Sequence, residues 1–292
     1  TLTGNFTANN VTTQDTIFLN GYNLTVNGII SGTSTPVLSG SNTSSFTYGG
    51  SSSSTVRMDQ STSADVNVTN GTNALKDLVV NGTAGLTVSN KLNLFDKLSV
   101  KSGSLTTGNA LVLRSTATNT AYVDSTGGTI SGQVTVERYY HKNFRGWRMV
   151  TAPVTFVGIA DGTIDNVYNN WQSNFGLGNN YGTQFTANVA PSGTNGLDAQ
   201  TNGANLLRYN SSGAGSWTSI TNTKTELISG STGSADNKGY FLFVRGDRTV
   251  TPSGSQTPNS WAQTTLAAKG KLQTGTQTFN YGGNANVSWI VG

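Results

Sequence analysis

Short runs in which apolar and polar residues alternate recur through residues 1–135, separated by Asn-Gly, Ser-Gly or Thr-Gly pairs. Thr16-Ile17-Phe18-Leu19 precedes Asn20-Gly21, and Asn23-Leu24-Thr25-Val26 precedes Asn27-Gly28. Leu78-Val79-Val80 precedes Asn81-Gly82, and Leu86-Thr87-Val88, Leu92-Asn93-Leu94, Leu98-Ser99-Val100 and Leu111-Val112-Leu113 continue the series. Apolar side chains two residues apart share one face of a strand. A strand this short has no stability alone, so the spacing between runs decides the fold. From residue 86 the runs start at 86, 92, 98 and 105, too close together for a meander of hairpins. Three such runs make a rung of roughly 20 residues, which is the period of a three-sided parallel solenoid. Stacked rungs pair their backbones along the axis and line up inward Leu, Val and Ile into a shared core.

The pattern predicts about six rungs. It predicts parallel strands over residues 74–113, with Leu78, Leu86, Leu92, Leu98 and Leu111 pointing inward. Residues 39–65, rich in Ser and Thr and containing Gly49-Gly50, break the pattern and are expected to form a loop or an irregular rung. Thr1-Leu2-Thr3-Gly4-Asn5-Phe6 already reads as strand with Leu2 and Phe6 on one face. These two residues are therefore the candidate assembly edge, open to a copy of the chain or a neighbouring domain.

The texture changes at Val134, where Val134-Thr135-Val136-Glu137-Arg138-Tyr139-Tyr140 reads as one longer strand. Aromatic residues become frequent after it, and Arg145–Val150 and Gly239–Val244 read as core strands. Longer aromatic strands with long Gly- and Asn-rich loops suit an antiparallel sandwich of jelly-roll type. The expected organisation is all-β, with a parallel β-solenoid over 1–135 and a β-sandwich over 136–292. One short helix is expected within 158–172.

Composition narrows the function. Charged residues make up 10% of the chain, and there is no Cys and one His, His141. This excludes metal centres built from His and Cys clusters. The net charge of +4 reflects few acids rather than a basic patch, so nucleic acid is not an expected partner. No apolar run approaches the roughly 20 residues of a membrane span.

Several segments together resemble a known family. Ile130-Ser131-Gly132-Gln133-Val134-Thr135-Val136-Glu137-Arg138-Tyr139-Tyr140, then Gly146-Trp147-Arg148-Met149-Val150-Thr151-Ala152-Pro153-Val154, is similar to a junction in large secreted surface proteins of Bacteroidota. In that family β-helical repeats precede a "VERY…WR…APV" segment. Gly239-Tyr240-Phe241-Leu242-Phe243-Val244-Arg245-Gly246-Asp247-Arg248 resembles the family's "GYMLFVRGDR" strand, and Gly270–Gly275 its following hairpin. The resemblance implies export by the type IX secretion system, with a C-terminal sorting domain. It also implies display at the bacterial cell surface and a role in adhesion or filament formation. The family pattern continues past a segment like Trp289-Ile290-Val291-Gly292, so the chain is expected to be a fragment, its sandwich truncated at the C-terminal end. Family O-glycosylation at Asp-Ser/Thr sites would fall on Thr16 and Ser125.

Candidate chemical sites are sparse. Glycosidases need paired carboxylates, and in the solenoid half only Asp77 and Asp96 stand about one rung apart. Two solvated turn residues are the plainer reading of that pair. Asp161, Asp165 and Asn166 offer oxygen ligands for calcium on one loop, although the spacing matches no EF-hand. Exposed aromatics such as Trp171 or Trp217 could stack on sugars. The sequence therefore favours a non-enzymatic extracellular structural or adhesive protein, a stalk or filament subunit that self-associates or stacks on a neighbouring domain. A carbohydrate-binding module for surface polysaccharide is the alternative, and a β-helical polysaccharide-degrading enzyme is third. No cofactor is expected.

Overall fold

A computed structural model describes residues 1–32, 36–41, 43–50, 54–58, 73–125, 127–142, 146–156, 165–173, 182–190, 193–200, 202–210, 216–229, 238–249, 262–281 and 285–291. The chain divides into two compact units, Thr1–Val136 and Glu137–Val291.

The first unit is a parallel solenoid. Its first pass is β1 (Phe6–Ala8), β2 (Val11–Thr13) and β3 (Ile17–Phe18); its second is β4 (Asn23–Val26), β5 (Ile30–Gly32) and β6 (Val37–Ser39). The third is β7 (Ser45–Tyr48), β8 (Ser54–Met58) and β9 (Ala74–Leu75), and the fourth is β10 (Asp77–Val80), β11 (Gly85–Val88) and β12 (Leu92–Leu94). The fifth is β13 (Lys97–Val100), β14 (Ser104–Thr106) and β15 (Leu111–Leu113), and the sixth is β16 (Tyr122–Ser125), β17 (Thr129–Ser131) and β18 (Gln133–Tyr140). One face is the sheet β1-β4-β7-β10-β13-β16, so the chain crosses it six times and completes about five turns. A second face runs β3-β6-β8-β11-β14-β17, with β2 and β5 as a separate pair, and the third face contains β9-β12-β15-β18.

Register explains the core. Phe6, Leu24, Phe46, Leu78, Leu98 and Val123 form one column across the first face. Leu92, Leu111 and Val134 form another on the third. The five leucines expected to point inward, Leu78, Leu86, Leu92, Leu98 and Leu111, are all buried. Each such burial is worth about 1.5–3 kcal/mol.

Residues 39–65 differ from expectation. They contain the regular strands β7 and β8, with Phe46, Tyr48 and Val56 buried in the core columns. The Ser and Thr residues that suggested a loop, such as Ser45 and Thr47, alternate with these inward aromatics along the strand. Residues 59–65 lie outside the described residues.

Turn length varies while register holds. Contacts between successive passes link residues 18 apart at Asn5 and Asn23, 32 apart at Ser45 and Asp77, and 20 apart at Asp77 and Lys97. One corner is held by stacked glycines. A Cβ on Gly50 would lie 1.9 Å from the Gly28 carbonyl oxygen, and one on Gly82 would lie 1.9 Å from that of Gly50. A Cβ on Gly103 would lie 2.6 Å from the Gly82 carbonyl oxygen, and one on Gly128 would lie 2.6 Å from that of Gly103. The glycines are therefore needed because each pass approaches the next too closely for any side chain.

The third face carries a buried polar ladder. Asn93 Nδ2 donates to Asn73 Oδ1 at 3.1 Å, and Arg114 Nε donates to Asn93 Oδ1 at 2.8 Å. Asn93 is fully buried, so side-chain bonds run along the axis beside the backbone ones, as in stacked Asn ladders.

The second unit is antiparallel. It adds β19 (Gly146–Val150), β20 (Val154–Thr155), β21 (Leu206–Asn210), β22 (Ser216–Ser219), β23 (Tyr240–Val244), β24 (Thr264–Leu272), β25 (Gly275–Tyr281) and β26 (Ala285–Val291). Four of these form the sheet β19-β23-β21-β22. β20 pairs with β24, and β25 pairs with β26. The short helix expected within 158–172 is present as a single π-helical turn at Tyr168–Gln172, and residues 158–164 lie outside the described residues. The turn fills the space between two sheets. Trp171 meets the Tyr240 ring of β23 edge-on at 5.6 Å, and Asn170 Oδ1 accepts from the Lys269 backbone N–H of β24.

Candidate functional site: an aromatic sheet face

The strand β23 separates two environments. Tyr240, Leu242 and Val244 point to a buried side, with exposures of 0–3%. Phe241 and Phe243 point the other way and are half-buried. Pairing extends that second side across the sheet. Trp147 stands opposite Phe243 and Met149 opposite Phe241, while Leu207 lies opposite Phe241 and Tyr209 opposite Trp217. Trp147, Met149, Tyr209 and Trp217 are all exposed, Met149 at 63%.

The rings form a row. Trp147 stacks on Phe241 with centroids 4.6 Å apart and planes 15° apart, and it meets Phe243 edge-on at 5.4 Å. Trp217 leans over Phe241 at 5.2 Å and 32°, and its ring meets Tyr209 edge-on at 5.4 Å. Phe241 is thus enclosed between two indoles, and each indole keeps one face that Phe241 does not cover. Such pairs contribute about 0.5–1.5 kcal/mol beyond area burial, so the row is held in place without a ligand. The Arg245 guanidinium sits 5.4 Å from the Phe243 centroid, a cation–π distance.

The reverse side is fixed by ionic hydrogen bonds. Arg208 Nη1 donates to both Glu226 carboxylate oxygens, at 2.9 and 3.2 Å. The Tyr240 hydroxyl lies 2.7 Å from Glu226 Oε1 and 2.5 Å from the Leu227 carbonyl oxygen, and Lys238 Nζ is 3.7 Å from Glu226. Burial, reinforced by the Glu226 charge, raises the Tyr240 phenol far above its ordinary range. Nearby, the Asp165 carboxylate accepts from the Ser229 N–H and hydroxyl at 3.3 and 2.7 Å. Burial pushes Asp165 up to about 6, against the opposing pull of the Ser229 bonds and the Lys238 charge.

The remaining candidates have other placements. Asp161 lies outside the described residues. Asp165 is bound to Ser229, and Asn166 is committed locally: its Oδ1 accepts from the Asn169 N–H and its Nδ2 donates to the Lys224 carbonyl. Among the described residues no group of three or more His, Cys, Asp or Glu converges as a metal site. Asp77 and Asp96 do come together, around Lys76, whose Nζ is 3.9 and 3.7 Å from them. Asp77 also accepts from the Ser45 hydroxyl and the Lys97 N–H, joining three passes of the solenoid. Half-buried Thr16 donates its N–H to Asp15 Oδ1. Ser125 ends β16, and its side chain is outside the described residues. Leu2 donates its N–H to the Phe18 carbonyl, while Phe6 is 49% exposed.

Of the two tryptophans considered for sugar stacking, Trp171 is buried and Trp217 is exposed. The ring neighbours of Trp217, Tyr209 and Phe241, come from other strands and are not grouped with it by sequence spacing. Strand alternation could have grouped Met149 with Trp147, but the pairing that gathers the rest is non-local. Among the described residues no helix is long and apolar enough to cross a membrane. No family model, curated protein or solved structure matches the chain.

Proposed function

We propose that this chain belongs to a non-enzymatic extracellular protein of the bacterial cell surface, exported by type IX secretion, that acts as an adhesive stalk or filament subunit. The observation that carries this reading is the in-register stack of parallel passes, closed inside by apolar columns. Such a stack makes a long scaffold in which each pass rests on its neighbours. Its paired acids serve the same purpose: Asp77 and Asp96 share Lys76 and join successive passes. The first pass, with Phe6 and Phe18 exposed, is the edge at which a copy of the chain or a neighbouring domain would add.

The test is made on the source bacterium and on purified protein. Antibody should label intact cells, and a strain lacking the gene should attach less well to surfaces. Purified protein should release no sugar or peptide product. Product release that vanishes with Asp77→Asn or Asp96→Asn would establish an enzyme instead.

One observation favours a second reading, a carbohydrate-binding surface module. Trp147, Trp217 and Tyr209 are exposed around half-buried Phe241, on a sheet whose other side buries Tyr240, Leu242 and Val244 and ties Arg208 to Glu226.

A further inference from the structure

We infer that the buried amide of Gln184 is the anchor of an internal hydration site, with ordered water bonded to both its oxygen and its nitrogen. The site lies where the two central strands of the sheet β19-β23-β21-β22 are tied together at one end.

The main chain fixes Gln184 in place. Its N–H donates at 3.2 Å to the carbonyl oxygen of Gly246, which lies just past β23. Its carbonyl oxygen accepts at 2.7 Å from Nδ2 of Asn205, the residue before β21, and the same nitrogen donates to the Phe243 carbonyl oxygen at 3.0 Å. On either side, Thr183 Oγ1 donates to the Gly246 carbonyl oxygen and the Thr186 N–H donates to Asn205 Oδ1. Thr183, Gln184, Phe185 and Thr186 are each at most 1% exposed. The Gln184 side chain therefore cannot reach bulk solvent without breaking these bonds.

Neither Oε1 nor Nε2 of Gln184 has a hydrogen-bond partner among the described residues. Turning the amide over exchanges one unpartnered atom for the other, so no assignment of oxygen and nitrogen satisfies it. A buried donor or acceptor left in this state costs its full desolvation, and nearly all such groups in folded proteins are bonded to protein or to ordered water. The pairing of donor and acceptor on one amide selects the ligand. A cation would serve only the oxygen, and an anion only the nitrogen. Water both donates and accepts, so it serves each end. The charges bonded to this segment offer an ion no counter-charge, because Asp198, which accepts from the Phe185 N–H, is paired with Arg248. An apolar cavity stays dry, whereas Thr183, Thr186 and Asn205 are all buried at this junction.

The experiment is nuclear magnetic resonance of the native full chain, with the Gln184 side-chain amide assigned through bonds. Its Nε2 protons should receive magnetisation directly from a long-lived water. The partner measurement compares the native chain with Gln184→Met, which keeps the length of the side chain and removes both polar atoms. Relaxation dispersion of the water oxygen counts long-lived internal waters, and the count should fall by at least one in the variant. The melting temperature of Gln184→Met should stay level or drop, because a satisfied group has been lost. A raised melting temperature would show that the amide was idle in the native fold and would overturn the inference. An unchanged water count would do the same. So would the lack of any transfer from water to the Gln184 amide, a measurement on the native protein that stands even if the variant fails to fold.

Discussion

Leu98 shows how much one side chain carries in a solenoid. It is fully buried, with Leu78 beside it on one neighbouring pass and Val123 on the other. Leu98→Ala removes packing from three passes at once and should cost about 2–5 kcal/mol, read from denaturant unfolding followed by circular dichroism. Asp165 works differently. Its folded-state pKa of about 6 is above the roughly 3.9 of an unfolded Asp, so the folded form holds the proton more tightly. Asp165 by itself should therefore make the second unit more stable in acid than at neutral pH. It should lose up to about 3 kcal/mol as pH rises from about 4 through about 6, and change little above that on this account. Melting curves across that window should show the slope in the native protein and a flatter profile in Asp165→Asn.

At the scale of elements, side-chain ladders join what backbone pairing aligns. Asn93→Ala leaves the Asn73 amide oxygen and the Arg114 Nε without their shared partner in buried surroundings. The expected cost is about 1–3 kcal/mol, measured by thermal unfolding against Asn93→Gln as the polar control. Strands β10 to β15 were legible in the sequence because Leu and Val recur there at a fixed short interval. Strands β7 and β8 were not, since their inward residues are Phe46, Tyr48 and Val56 set among Ser and Thr, a pattern shared with loops. The aromatic face was legible only in part. Tyr240 to Val244 is one continuous apolar run, and such a run reads as a strand buried on both sides. Only the pairing of β23 with β19 and β21, fixed by partners distant in sequence, leaves one of its sides open. The calcium candidates illustrate the converse. Asp165 and Asn166 are adjacent oxygen donors in sequence, yet the fold directs them to Ser229, Asn169 and Lys224.

Across the whole molecule, the order of strands fixes how force would travel. The chain enters the solenoid on its first pass and leaves on its sixth, and every sheet of that unit stacks the passes in sequence along the axis. Hydrogen bonds between passes thus lie along the line joining entry to exit. Tension applied at residues 1 and 136 would open them a few at a time, like a zip, rather than shear a whole sheet at once. Passes should therefore unwind singly. A pass of the 20-residue kind that separates Asp77 from Lys97 would release about 65–70 Å of slack at roughly 3.3–3.6 Å per residue. Optical-tweezer traces of the full chain tethered at those two positions should show a series of small steps, unequal because the passes differ in length. One large rupture would contradict this. A tether that yields in this way dissipates a sudden load by lengthening, and it can rewind when the load passes.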